Sequence, residues 1–260
     1  MGGRELIAKT SRMKRFPAIR LLIPLALALA AQPLRAATNE WSFTAAPYLW
    51  VASLGLDSSL PDQPPTGPGV ERFDTKITAG AMLSAQVRYR SAGLFMDFAW
   101  LRLTTDALSP GPAYGEVSLR SDFIHSTAAL TYQLPLQGKL RSELLAGARL
   151  WHVANDFDAT SGLLPDFTGA AEKAWVDPMV GVTLGYDLGK RWSADVKGLV
   201  GGFGASADIA GEVFAGVSHR FSDRCSATLG YRYLHEEYDR GNFAFNLDAH
   251  GFLLGVGLHF

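Results

Sequence analysis

The sequence has 260 residues and nearly equal numbers of basic and acidic side chains, 24 against 25, for a formal net charge of −1. A chain of this length fits one folded domain, and the lack of a basic excess argues against nucleic-acid binding. The single cysteine, Cys225, excludes an intramolecular disulfide and a thiolate metal cluster.

The N-terminal 36 residues have the pattern of a secretory signal peptide. Six basic residues precede an apolar run at 21–31, and Leu34-Arg35-Ala36 follows as a cleavage site. The apolar run is shorter than the roughly 20 residues that a membrane-spanning helix needs. We therefore expect a signal peptide at 1–36 and one domain at 37–260. Subtracting the segment's seven basic residues and one acidic residue from the totals leaves 17 basic and 24 acidic residues, a net charge of −7.

Ten segments of the remaining chain alternate with a period of two residues, which is typical of β-strands. Helix signals are scarce, because 27 glycines and 13 prolines are spread through the chain. In chain order, the predicted strands cover residues 41–53, 76–90, 93–103, 117–134, 141–155, 175–187, 192–203, 209–221, 226–238 and 245–260.

The predicted connections alternate in length. The turns after the second, fourth, sixth and eighth strands are short, whereas those after the first, third, fifth and ninth are mostly longer, including 61–69 and 156–174. The connection after the seventh strand is short and departs from this trend. Short turns at one end and longer loops at the other indicate an all-β fold, an antiparallel transmembrane up-and-down β-barrel with both termini on the periplasmic side. Ten strands are predicted, and eight or twelve remain open if a long loop contains a hairpin.

The final segment is the strongest of the ten. Small or polar residues occupy one of its faces, and the other carries Phe252, Leu254, Val256, Leu258 and Phe260. Such an apolar row is expected where one face of a strand contacts hydrocarbon. A C-terminal phenylalanine that closes an alternating strand resembles the assembly signal of outer-membrane β-barrels. The resemblance implies recognition of these five residues by the barrel-assembly machinery.

Several short strings extend this resemblance over nearly all of the mature chain. They are Pro47-Tyr48-Leu49-Trp50, Gly147-Ala148-Arg149-Leu150-Trp151, Val176-Asp177-Pro178-Met179-Val180-Gly181, Gly201-Gly202-Phe203-Gly204 and Gly230-Tyr231-Arg232-Tyr233-Leu234. With these strings the chain resembles small proteobacterial outer-membrane barrel proteins and, more loosely, the OmpA/OmpW-type superfamily. The resemblance implies a fold and a location in the Gram-negative outer membrane rather than an activity.

Assigning faces by parity, with Phe260 outward, predicts a charged barrel interior. The inward basic residues are Arg88, Arg90, Arg149, Lys197, Arg220 and Arg232, and the inward acidic residues are Asp97, Glu143, Asp177, Asp195, Glu212 and Glu236. Charges in a narrow lumen are costly unless they are paired, so the equal numbers indicate ion pairs that fill the barrel. A wide pore needs about 16 strands, which argues against a general porin and leaves a narrow conduit open.

Two further features of the strands lead to specific predictions. Tyr89, Tyr132, Tyr186 and Trp192 lie next to the short turns and should form a periplasmic aromatic girdle. The Asp177-Pro178 pair lies in mid-strand, where proline cannot donate to the ladder. We expect a β-bulge there, with Asp177 anchoring the inner network, for example to Arg149.

Candidates for chemistry are weak. The adjacent His125 and Ser126 must point to opposite faces of a strand. A polar group surrounds the last outer loop and has the composition of an ordinary solvated rim; its members are His235, Glu236, Glu237, Asp239, Asp248 and His250. The carboxylates around Asp156-Phe157-Asp158 lack the dense, regular spacing of a calcium loop, and the glycines at 201–204 precede no helix or lysine that would cradle phosphate. We therefore expect no catalytic residue, metal or cofactor.

Three classes of function stay open. The balanced inner charges favour a structural or surface-interaction barrel with a charge-filled lumen. The alternatives are a narrow channel or transporter for a small solute, and an outer-membrane hydrolase with His250 or Glu236 as candidates. In each case the implied partners are outer-membrane lipid and the barrel-assembly machinery, with no nucleic acid, and a monomer is favoured.

Overall fold

The computed structural model describes residues 40–59, 76–108, 114–241 and 243–260. The predicted signal peptide and the predicted loop 61–69 lie outside these ranges. The ten strands are β1 (Trp41–Ser59), β2 (Lys76–Tyr89), β3 (Ala92–Leu108), β4 (Tyr114–Leu134), β5 (Leu140–Ser161), β6 (Phe167–Asp187), β7 (Trp192–Gly201), β8 (Ile209–Ser222), β9 (Cys225–Arg240) and β10 (Phe243–His259).

The strands form one closed antiparallel barrel in which each pairs with its neighbours in the chain. Closure comes from β1 and β10, whose register runs from Thr44 opposite His259 to Ser59 opposite Ala244. The ten-stranded, up-and-down, antiparallel prediction is therefore confirmed. Across the described ranges, no helix is long and apolar enough to cross a bilayer.

Several strands are longer than the sequence pattern predicted. Instead of the long loop predicted at 156–174, β5 continues to Ser161 and β6 begins at Phe167, and the two stay paired up to Ala159 opposite Phe167. The predicted longer loop after β9 is also wrong, because β9 ends at Arg240 and β10 begins at Phe243. The pattern fails here because strands that leave the membrane meet water on both faces, so burial no longer imposes alternation.

The barrel wall has an uneven height. A membrane-crossing strand needs about 9–11 residues, and β7 has 10 residues. By contrast, β4, β5 and β6 have 21, 22 and 21 residues. Since the turns at the periplasmic end are all short, the extra length lies at the other end. We call the outer parts of β4, β5 and β6 the extracellular wall.

Outward side chains form an apolar band edged by aromatic residues. Near the short turns, Tyr89, Tyr132, Tyr186 and Trp192 are exposed, as the sequence predicted. Along β10, Phe252, Leu254 and Val256 are exposed on the same face and Leu258 is half-buried; Phe260, which follows the strand, is exposed as well. At the opposite edge Tyr231 and Tyr233 also point outward. An exposed apolar surface of this extent requires a nonpolar environment.

The expected bulge at Asp177-Pro178 is absent from the β5–β6 ladder, where Arg149 pairs with Asp177 and Ala148 with Pro178 without a register shift. The Pro178 carbonyl accepts a hydrogen bond from Gly202 N–H at 3.2 Å, on the side of β7. Because the nitrogen and carbonyl of one residue point to the same side of a strand, the missing donor also faces β7. Pairing with β7 ends at Met179, so proline costs the sheet no ladder bond.

Candidate functional site in the barrel lumen

Arg232 of β9 links three strands at the centre of the lumen. Its guanidinium donates to the Tyr48 hydroxyl at 2.9 Å and to Asp97 at 3.1 Å. It also donates to Glu212 at 3.0 Å, and its charged end lies 5.1 Å from the centre of the Trp50 ring. The Tyr48 hydroxyl in turn donates to both oxygens of Asp97 at 3.1 Å. These contacts join β1, β3 and β8 across the barrel through one buried cation.

Arg149 of β5 reaches Glu212 from the other side. It forms an ion pair with Glu212 and donates to Thr127 at 3.1 Å. Lys197 of β7 completes the group, with its ammonium 3.0 Å from Glu212. Glu212 therefore meets three cations from three different strands. Arg149 is 0% exposed and Glu212 is 2% exposed, so these charges are cut off from water and depend on one another.

Asp177 and Glu236 lie beside this group, on β6 and β9. The Ala207 backbone N–H donates to Asp177 at 2.6 Å, and the Trp175 indole donates to Glu236 at 3.0 Å. Both carboxyl residues are fully buried. We call the seven buried or nearly buried charged residues the charge belt: Asp97, Arg149, Asp177, Lys197, Glu212, Arg232 and Glu236.

Packed aromatic rings lie on the extracellular side of the charge belt. Trp151 and Trp175 stack with their ring centres 5.9 Å apart, and Phe245 contacts both rings. Tyr238 packs on Trp175 at 4.5 Å. His125 meets the edge of Trp151 at 4.9 Å. Together with other buried apolar residues of this cluster, the rings occupy the lumen between the belt and the extracellular mouth.

A cavity of about 240 Å³ lies on the periplasmic side of the charge belt. Arg232, Glu212 and Asp97 line its inner end, and Phe95 and Phe214 are among its apolar walls. Towards the periplasm, Arg88 and Glu143 form an ion pair of 2.8 Å whose side chains are 28% and 13% exposed. The rising exposure of the charged side chains indicates that the cavity opens to the periplasm.

The other residues of the predicted inner set lie nearer the periplasmic end. Asp195 accepts a hydrogen bond from Arg141 at 3.2 Å and is partly exposed. Arg220 is exposed at the lower end of β8, outside the charge belt. Arg90 does not face the lumen as predicted: it lies in the β2–β3 turn and pairs with Glu40. A turn has no alternating faces, so parity does not apply to Arg90. The expected partner of Asp177 also differs, because Arg149 bonds Glu212 and Thr127 instead.

Sequence reasoning missed the neutral members of this site. Tyr48, Thr127 and Trp175 each bind a charged residue of the belt, yet none was included in the inner set. Parity would place them inward, since Tyr48 and Trp50 share a face of β1 and Trp175 shares one with Asp177. Alternation would have identified them, because it depends on the period of the strand and not on the charge of the side chain.

The polar group near the last outer loop is divided between the two faces of the wall. Glu236 points into the lumen, whereas His235, Asp248 and His250 point outward beyond the apolar band. Glu236 and His250 therefore do not form a joint acid–base pair. Asp248 accepts hydrogen bonds from the Tyr233 hydroxyl at 2.6 Å and from the His235 ring at 3.0 Å. In the described part of the chain, no cluster of three or more His, Cys, Asp or Glu residues has a metal-binding arrangement.

A closed antiparallel barrel with an apolar outer band, aromatic edges and a polar interior is a transmembrane β-barrel of the Gram-negative outer membrane. No protein-family model matches the sequence, and no curated protein is significantly similar to it.

Several solved structures are similar in architecture. The translocator domain of the autotransporter NalP from Neisseria meningitidis is 13% identical, with a TM-score of 0.45 over 94% of this chain and 96% of that one. The outer membrane protease OmpT from Escherichia coli is 7% identical, with a TM-score of 0.44 over 85% and 94%. The outer membrane protein OprG from Pseudomonas aeruginosa is 11% identical, with a TM-score of 0.36 over 85% and 96%.

Proposed function

We propose that this protein is a non-conducting outer-membrane barrel that acts at the cell surface. The burial of the charge belt is the observation that carries the proposal: Arg149, Asp177 and Glu236 are each 0% exposed in mid-lumen. An open aqueous pore would leave such charges hydrated. Instead Arg149 is paired with Glu212, and aromatic rings pack above the charge belt. In a barrel filled in this way, the surface that remains accessible to other molecules lies outside the membrane.

The extracellular wall is the part of the barrel best placed for contact. At its top, the β5–β6 hairpin carries exposed apolar residues, with Leu163 79% and Leu164 47% exposed and Phe167 close by at 52%. Exposed apolar groups above the lipid band are not explained by membrane contact. They support a role in adhesion to apolar surfaces or to apolar patches on other molecules.

Replacing the hairpin tip tests this role. We expect Leu163→Ser combined with Leu164→Ser to reduce the adhesion of expressing cells to alkyl-coated glass, with an unchanged amount of folded barrel in the outer membrane. Leu136→Ser is a matched control, because Leu136 is 45% exposed but lies in the periplasmic β4–β5 turn. Equal adhesion of the tip variant and the control would contradict the surface role.

The periplasmic cavity supports a second candidate, a narrow channel for a small solute. Its volume of about 240 Å³ would accept a small solute. Liposome swelling in small sugars and amino acids separates the two candidates. If the protein has only the surface role, liposomes that contain it should swell at the same rate as protein-free liposomes. Faster swelling with any of these solutes would favour the channel.

A further inference from the structure

On the extracellular side of β7 and β8, the barrel wall is open between β6 and β9. Pairing between β6 and β7 stops at Met179 opposite Gly201, and β8 begins only at Ile209, opposite Glu237 of β9. Beyond these points β6 extends out to Phe167 and, among the described residues, is paired with β5 alone. We call the open space above β7 and β8 the strand notch, because a longer β7 would fill it.

The β7–β8 loop covers only the lowest part of the free edge of β6. The Pro178 carbonyl accepts a hydrogen bond from Gly202 N–H at 3.2 Å, and the Val176 carbonyl accepts one from the Ser206 hydroxyl at 2.8 Å. Successive residues of a strand direct their backbone groups to alternate sides, so the even-numbered residues of β6 face the strand notch. Further out these are Thr168, Ala170, Glu172 and Ala174. In the described part of the chain, no hydrogen bond reaches their backbone groups from the side of β7.

The free edge of β6 lacks the usual protection against pairing. An unpaired strand edge is a template for another strand, and proteins commonly protect it with proline, a β-bulge or charged side chains. Residues 167–175 include no proline, and their register with β5 shows no shift. The ammonium of Lys173 lies inward, 5.7 Å from the centre of the Tyr238 ring, which leaves Glu172 as the one charged side chain on the outward face of this edge. The small residues at 169–171 leave room for the side chains of a neighbouring strand.

We propose that the strand notch binds an extended polypeptide segment of a partner protein, which adds to β6 as an antiparallel strand. The proposal rests on the surface role and names the class of partner. An extended segment supplies the donors and acceptors that the free edge lacks, and it takes the place of a longer β7. A second copy of the barrel does not fit, because a β6 strand placed there would carry the rest of its barrel into the membrane space that β7 and β8 already occupy.

The side chains along the edge define the chemistry of the segment. Glu172 is 61% exposed on the outward face and lies 3.7 Å from His152. The same face of β5 carries Asp156 and Asp158, and Arg120 of β4 lies opposite Asp156. This acidic face favours a basic residue on the outward face of the segment. Its inward face should carry apolar residues, which meet the small residues of the edge.

Binding of a synthetic peptide tests the added strand. The probe is a fluorescent peptide with valine on one face and threonine with one central lysine on the other, titrated against the full barrel in lipid nanodiscs. We expect saturable binding in fluorescence polarisation. Residues that face the strand notch point outward, so the bonds to β6 come from the lysine face of the peptide. N-methylation of the backbone on that face should abolish binding, whereas N-methylation on the valine face should preserve it. Equal binding of the two methylated peptides, or no binding of the parent peptide, would overturn the proposal.

Variants of β6 test the position of the site. Ala170→Pro removes an N–H that faces the strand notch, and proline is tolerated at an exposed sheet edge. We expect it to weaken binding of the parent peptide by about tenfold. Ala170→Thr, which keeps the N–H, should bind like the wild type, and heat-modifiable migration shows that both variants are folded. Glu172→Lys should reverse the preference, so that a peptide with glutamate in place of the central lysine binds more tightly. Unchanged affinity in Ala170→Pro would refute the site.

The adhesion experiment on the hairpin tip is independent of peptide binding. If the wild-type barrel does not bind the parent peptide while Leu163→Ser with Leu164→Ser still reduces adhesion, the strand notch proposal is wrong and the surface role stands. If adhesion is unaffected but Ala170→Pro weakens peptide binding, the strand notch stands and the apolar tip is not the adhesive element.

Discussion

Arg232 shows how one side chain can hold several strands together. It bonds Tyr48, Asp97 and Glu212 from β1, β3 and β8. Each of these contacts is buried, so none competes with water. Loss of Arg232 would therefore be costly, because it would leave Asp97 buried without a guanidinium partner and Glu212 with only two of its three cations.

Arg232→Ala should lower the temperature at which the barrel loses its heat-modifiable gel migration. Removing one member of a buried ion pair costs about 3–5 kcal/mol. Arg90→Ala is the matched control, because the Arg90–Glu40 pair is largely exposed and such pairs contribute about 0–1 kcal/mol. If the two variants lost their folded migration at the same temperature, the importance of the belt for stability would be disproved.

For single residues, the alternation of the sequence predicts which face of a strand a side chain occupies but not which partner it binds. Alternation assigns Arg149, Asp177 and Glu236 to the inner face because the period of a strand is fixed. It does not indicate that Arg149 bonds Glu212 rather than its cross-strand neighbour Asp177. Partner choice depends on side-chain reach across the lumen, and Asp177 is occupied by a loop that lies 30 residues away in sequence.

Among the strands, β1 and β10 form the contact that closes the barrel. Gly251 of β10 lies so close to Val51 and Ala52 of β1 that an added Cβ would collide with their backbone. Glycine is therefore required at this position for the close approach of the two strands. The alternation of β10 predicts the face of residue 251 but not this contact, because the pairing of the first and last strands is long-range.

Gly251→Ala should weaken the closure of the barrel. Forcing a methyl group into this contact costs about 1–3 kcal/mol, which should appear as a lower heat-modification temperature and slower refolding into detergent micelles. Gly198→Ala in β7 is the control, since an added Cβ there meets no atom within 4 Å. Equal behaviour of the two variants would mean that the β1–β10 register is wrong.

The strand ends mark the limit of what the sequence could predict about the elements. Within the apolar band, the outward face of each strand meets lipid and the inward face meets the lumen, and the predicted segments match the strands closely. Beyond the band, residues such as Asp156 and Asp158 remain in the β5 ladder, although their polarity indicated a loop. Backbone pairing with long neighbours stabilises these extensions, and a one-dimensional pattern does not contain that information.

The barrel is asymmetric along its axis. From the periplasm inward there is a cavity, then the charge belt, then the packed aromatic rings. Around the axis, the wall is tall at β4 to β6 and low at β7. The sequence predicted a lumen with balanced charges. The order of these layers emerged from the structure, because it depends on the relative heights of residues on different strands.

Single-channel recording in planar bilayers tests the sealed lumen most directly. The purified full barrel, inserted at neutral pH and examined over both voltage polarities, should give no conductance steps above the lipid background. Its heat-modifiable migration after extraction from the same bilayers would show that the inserted protein is folded. Steady, reproducible conductance steps from the folded barrel would contradict the sealed lumen and would favour the narrow channel instead.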